Sequence, residues 1–239
     1  LKEPAARGDR EGFFYNCYLR INGVEDKLTY ANELYQFYLE LRNQKRQIVV
    51  VNGSIPNPTT DEIMKIRRAH YTGTEQMIAD LQMNIQYPAS KILQAVFCRA
   101  FAEVMMQEAA EPDISLNRLM NKGVYLLCWI KRYQGQLFKN WKKNDTSCFV
   151  HMGCCQNVNE VLFIKFLARV PADVLILHPD RNEPVMLEDP LLYEINHDTS
   201  MVMKRFPEQN AQLHIGTAAY HAERELDTLM YNDSVIFRD

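Results

Sequence analysis

Residues 148–180 read Cys148-Phe-Val-His-Met-Gly153, then Cys154-Cys155-Gln156-Asn157, an amphipathic run to Val170, and Asp173-Val-Leu-Ile-Leu-His178-Pro179-Asp180. This is strand, loop, helix and strand in about thirty residues, the size of one βαβ unit. In open α/β sheets ligands bind beyond the carboxyl ends of the strands. Here those ends are residues 153–157 and 178–181, both rich in polar groups.

Working toward the amino terminus, residues 13–21 are aromatic and β-branched enough for a strand, closed by Asn22-Gly23. Thr29 is placed to cap a helix with Tyr30, Leu34, Phe37, Tyr38 and Leu41 on one face. The run Gln47-Ile-Val-Val-Val51 is a short buried strand ending at Asn52-Gly53-Ser54. After Pro58 the period becomes helical. Thr59 with Glu62 fits a capping box, and residues 74–84 suit a second helix. Pro88 opens a long helix striped by Leu93, Phe97, Phe101 and Val104. Ser115 caps another, to about Trp141, weakened by Gly123 and Gly135.

The expected architecture is therefore α/β: a mostly parallel, Rossmann-like sheet with a large helical insertion, with two facing Rossmann-like halves as the rival. Residues 1–58 form an amino-terminal α/β part, 59–143 a helical block and 144–239 a carboxy-terminal α/β part. In the last part short elements are expected near 191–195 and 199–205, a strand at 212–215, a helix at 217–230 and a strand at 234–237. Leu1 in place of an initiator Met suggests an excerpt of a longer protein.

The chain has 239 residues, 47% hydrophobic and 24% charged, with a net charge of −3. That is an ordinary globular composition. No run nears the roughly eighteen apolar residues of a membrane helix, so no membrane partner is expected. The six cysteines include no Cys-x-x-Cys pair, and free thiols in a reducing cytoplasm are the simplest reading. Charge is unevenly distributed. Residues 114–144 hold seven Lys or Arg and no acid, whereas residues 180–239 hold twelve acids and five bases. The basic stretch interleaves Arg118, Lys122, Lys131, Arg132, Lys139, Lys142 and Lys143 with Trp129, Tyr133, Phe138 and Trp141. That mixture occurs on single-stranded nucleic-acid surfaces. A solvated helix face backed by core aromatics is the favoured account, because the chain is not basic overall.

Candidate site residues follow from the strand ends. Asn157 with Glu160 makes a capping pair for the helix that follows, whose free amides and dipole favour an anion. Gly153 permits close backbone approach, and Gln156 adds a donor. His178 and Asp180 are the candidate proton carriers, with Arg181 to pair a phosphate. Asn52 and Ser54 occupy the matching place after their own strand. The loop is neither a P-loop nor a GxGxxG turn, so no cofactor is named by motif. His151, Cys154, Cys155 and His178 lie near one another in the sequence, but they lack the close pairing usual for zinc, and no metal site is expected. Cys154 as a nucleophile lacks an assignable base.

The segments Val150-His-Met-Gly-Cys-Cys-Gln-Asn-Val-Asn-Glu160 and Leu162-Phe-Ile-Lys-Phe-Leu-Ala-Arg-Val-Pro-Ala-Asp-Val-Leu-Ile176 resemble the YceG-like bacterial proteins. That family is described as a candidate component of a "biosynthetic module" in tellurite-resistance-type operons. The resemblance is carried by residues 146–182, with His178-Pro-Asp-Arg-Asn182 similar to the family's strand-end turn. It implies a cytoplasmic, stress-associated protein accompanied by other stress-operon proteins. It supplies no catalytic residues. Together these readings predict a domain that binds a phosphorylated small molecule, a nucleotide or nucleotide sugar, with a possible transferase role; a non-catalytic scaffold is the alternative.

Overall fold

A computed structural model describes residue 7 and residues 14–207. Along the chain run β1 (Tyr18–Asn22), α1 (Tyr30–Asn43), β2 (Ile48–Asn52), α2 (Thr60–Met64), α3 (Thr74–Gln82), α4 (Lys91–Ala109), α5 (Leu116–Leu137), β3 (Ser147–Met152), α6 (Val158–Leu167), β4 (Ala172–His178) and β5 (Tyr193–Asn196). The five strands form one sheet in the order β2-β3-β4-β1-β5. Every pairing is parallel. Among the described residues the expected Rossmann-like α/β sheet is therefore present as a single sheet and not as two facing halves. The elements foreseen at 212–215, 217–230 and 234–237 lie outside the described residues.

Both faces are covered, as an all-parallel sheet requires. On one face α1 seats Tyr30, Leu34 and Leu41 against Cys148, Val150, Met152, Leu175 and Leu177. On the other, the helices between β2 and β3 join α6 over Val49, Val51, Phe149, Val174 and Ile176. Alternation explains the division, because odd and even strand positions point to opposite faces. β3 and β4 are buried at every position, which is why they read as continuous apolar runs.

Strand order explains which helix goes where. From β1 the chain crosses to the far edge, β2, by way of α1 on one face. From β2 through β3 to β4 it steps back on the other face. Crossovers keep one hand, so reversing direction switches the face. The connection leaving β4 places Leu187 on the α4–α6 face. The neighbouring strands β4 and β1 thus send their connections to opposite faces, and their carboxyl ends flank a topological switch point.

The helices begin where short polar side chains accept backbone amides. Thr59 and Glu62 complete the capping box foreseen for α2. For α4 the cap is Ser90, which accepts from the Leu93 amide, and not Pro88 two residues earlier. Ser115 caps α5 by accepting from Arg118. Thr29 occupies the cap position of α1, but its hydroxyl donates to the Glu33 carboxylate instead. Gly123 has a packing role: a Cβ there would lie 3.0 Å from Leu81 Cδ1 and 3.1 Å from Met105 Cε. It lets α5 approach α3 and α4 closely.

In the basic stretch Trp129, Tyr133 and Phe138 are core residues. Their rings meet Phe97, Phe149 and Phe163. Arg132 pairs with Glu62, and Lys122 with Glu108. These three aromatics therefore back a helix face.

Candidate functional site

The ends of β1 and β4 flank the switch point. Asn22 of β1 lies beside His178 of β4 in register, and His151 of β3 lies beside Ile176. Asn22, Arg20 and His178 all face the α4–α6 side, an alternation set by Tyr18, Val174 and Ile176 in that core.

Asn22 determines the state of His178. Its amide Nδ2 donates to Glu194 Oε2 at 3.0 Å and to Asn196 Oδ1 at 2.8 Å, both on β5. Its Oδ1 is left facing His178 Nδ1 at 3.0 Å. An amide oxygen only accepts, so Nδ1 carries the hydrogen and Nε2 the lone pair. The ring is 2% exposed, and Nε2 has no hydrogen-bond partner. Burial also lowers the His178 pKa below the usual imidazole range, which favours this neutral form.

Beside the His178 ring stand Cys154, at the start of the β3–α6 loop, and Glu183, on the turn after β4. That turn is closed by the Glu183 amide donating to the Asp180 carbonyl at 3.1 Å. Cys154 is 6% exposed. Burial, reinforced by the Glu183 carboxylate that its thiol hydrogen-bonds, pushes its pKa up to about 12. Arg20 is the nearby cation. Its Nη atoms donate to the Leu187 carbonyl at 2.8 Å and to Glu194 at 2.6 Å.

Beyond this cluster lies a cleft of about 340 Å³ lined by Ser54, Gly153, Gln156, Asp180, Glu183 and Lys204, among others. Its floor is the pair Gly53 and Gly153, with φ of +67° and +101°. A Cβ on Gly153 would sit 3.9 Å from Gly53 Cα, and the backbone conformation itself favours glycine. The two glycines keep the rim bare of side chains where β2 and β3 end. A recess of about 460 Å³ at the opposite, amino edge of the sheet is lined by Lys45, Arg46, Lys139 and Lys142. There Arg46 is committed to the buried Asp173, and the chemistry is structural.

Of the residues expected from sequence, Ser54, Gly153, Gln156 and Asp180 line the cleft, and His178 sits behind it, next to Cys154, which lines the cleft as well. The other three have different duties. Asn52 points to the α1 face and accepts from the Phe206 amide at 2.7 Å. Asn157 accepts from the amides of Asn159 and Glu160 as the α6 cap. Arg181 donates to the Asp198 carbonyl at 3.1 Å. Glu160 departs from a capping box: fully buried, its carboxylate accepts from the Gln156 amide at 2.7 Å, from Ser54 Oγ and from Asn157 Nδ2. The protein's own carboxylate thus takes up part of the anion-favouring field at the α6 N-terminus. Asp180 Oδ1 accepts from the Asn182 amide and side chain and from Ser200, and these bonds hold its pKa below the usual carboxylate range. It is an ionised turn cap.

Sequence reasoning missed Asn22, Glu183 and Lys204. Asn22 was visible as a strand end, but its partners lie on β4 and β5, far along the chain. Nothing in the sequence marked Glu183 or Lys204.

No helix among the described residues is long and apolar enough to cross a membrane. No curated protein and no solved structure matches the chain. A family match does extend over residues 6–231, well beyond the 146–182 segment that carried the resemblance. A match of that extent places the whole α/β unit, strand-end cleft included, inside one family: this chain belongs to the YceG domain family.

Proposed function

We propose that this domain binds a phosphorylated small molecule, a nucleotide or nucleotide sugar, in the cleft beyond β2, β3 and β4. The carrying observation is the convergence there of a bare glycine floor, Gly53 and Gly153, with Ser54, Gln156 and Lys204 around it. Glycines at positive φ let backbone approach phosphate oxygens, and Lys204 supplies a positive charge. Asp180, also in the lining, is ionised and suited to accept hydrogens from ribose or sugar hydroxyls. The ligand would therefore lie with phosphate toward Lys204 and hydroxyls toward Asp180. The setting that the family resemblance implies is a biosynthetic step of a stress-resistance operon.

The test is a thermal-shift panel of nucleotides, nucleotide sugars and inorganic phosphate. Lys204 and Gln156 are exposed, so alanine at each leaves folding intact while removing the ligand-induced rise. Arg181→Ala should leave the rise in place, because that guanidinium is tied to Asp198. A folded protein that responds to no member of the panel overturns the reading.

A further inference from the structure

We infer that Cys154, His178 and Glu183 form a binding site for a divalent d-block cation, Zn²⁺ foremost, with an open coordination position toward the cleft. The inference does not depend on the phosphorylated ligand. One ligand atom from each of the three residues lies within 4.8 Å of the others. Tetrahedral zinc with bonds of about 2.0–2.3 Å places its ligand atoms about 3.5 Å apart. A small side-chain adjustment closes that difference.

Geometry and hydrogen bonding both favour a metal. His178 Nε2 is buried and has no hydrogen-bond partner, and the imidazole sits in one cluster with the Cys154 thiol and the Glu183 carboxylate. Leaving a buried polar atom unpaired is costly, and coordination removes that cost. Its other nitrogen is bonded to Asn22, which β5 in turn clasps through Glu194 and Asn196. That is the outer-shell support typical of metal-bound imidazoles, fixing tautomer and ring plane. Charge supports the same conclusion. When a divalent cation displaces the Cys154 proton to solvent, the thiolate and the Glu183 carboxylate together neutralise it. Arg20 does not fill this role, being matched by Glu194 at 2.6 Å.

The donor set selects the ion. One sulfur, one imidazole nitrogen and one carboxylate oxygen suit zinc, whereas magnesium and calcium favour all-oxygen shells. Three protein ligands leave a fourth position for water or substrate, the pattern of catalytic zinc and not of closed structural sites. Cys154 and Glu183 both line the cleft, so that position opens into it. A cation there would also offset the acids Asp180 and Glu183 and make the cleft more receptive to phosphate.

Co²⁺ titration of the full chain tests the site, because cobalt replaces zinc and absorbs visibly. We expect one Co²⁺ per chain, displaced by Zn²⁺, with a thiolate-to-cobalt charge-transfer band. Cys154→Ser should abolish that band. Glu183→Gln should keep it while weakening binding at least about tenfold. Cys155→Ser, at the adjacent buried thiol, should change neither. The assignment is overturned if the folded wild type binds no stoichiometric metal, or if Cys154→Ser and Glu183→Gln bind as it does. Metal binding without any nucleotide response would support this site and remove the ligand proposed above; the converse result would do the opposite.

Discussion

Ser54 and Glu160 meet across the sheet's carboxyl edge, with Ser54 Oγ donating to Glu160 Oε1 at 2.5 Å. One residue follows β2 and the other belongs to the first turn of α6, so the bond ties two strand-end loops together. The Glu160 carboxylate is fully buried and depends on this donor, on the Gln156 amide and on Asn157 Nδ2. The loops beneath the cleft are therefore held together by a buried carboxyl group.

Ser54→Ala should destabilise the fold by about 1.5–3 kcal/mol, the range for a hydrogen bond to a charged group. Urea denaturation should show a lower midpoint with an unchanged slope.

At the amino edge, Asp173 accepts from Arg7 Nη1 at 2.6 Å, from the Cys17 amide at 2.6 Å and from Arg46. Both Asp173 and Arg46 are almost fully buried. Asp173→Asn leaves Arg46 as an uncompensated buried cation and should cost about 3–5 kcal/mol. Calorimetry should show a large fall in melting temperature. A loss comparable to that of a surface pair would contradict the account.

The Glu62 carboxyl is held at about 2, against about 4.5 for the free group, chiefly by hydrogen bonds from Arg132 and then from the Thr59 amide. A lowered folded pKa means the contribution is complete above about 4.5 and disappears as pH falls toward about 2. The pair is partly exposed, so its worth should stay below about 1 kcal/mol. Glu62→Gln should flatten the pH dependence of stability across that window and change little below it.

The two glycines of α5 should respond oppositely to alanine. At exposed Gly135 a Cβ meets nothing within 4 Å, so Gly135→Ala should stabilise by about 0.5–1 kcal/mol. At Gly123 the new methyl presses on Leu81 and Met105, and overpacking of about 1–3 kcal/mol offsets the same helix gain. Paired urea curves should show a rise for the first and no gain, or a loss, for the second.

The sequence by itself determined the βαβ unit around residues 148–180. Unbroken apolar strands, an Asn157 cap and a helix of the right length admit few other arrangements. Turn chemistry likewise marked the strand ends at Asn22-Gly23, Asn52-Gly53 and Gly153, because glycine at positive φ leaves a local signature. Helix boundaries were legible at Thr59 and Ser115, where a short polar side chain bonds an amide three residues on, but not at Ser90, where Pro88 drew the expected start two residues early.

Tertiary structure alone decided which strand ends became neighbours. β1 inserts between β4 and β5, a non-local choice set by crossover handedness and by which faces the helices cover. That insertion puts Asn22 beside His178, frees Nε2, and brings Cys154 and Glu183 beside the ring from two separate turns. Tertiary packing likewise commits Asn52 and Arg181 to backbone partners distant in the chain. A side chain's nearest polar group depends on three-dimensional packing, and spacing along the chain carries no record of it.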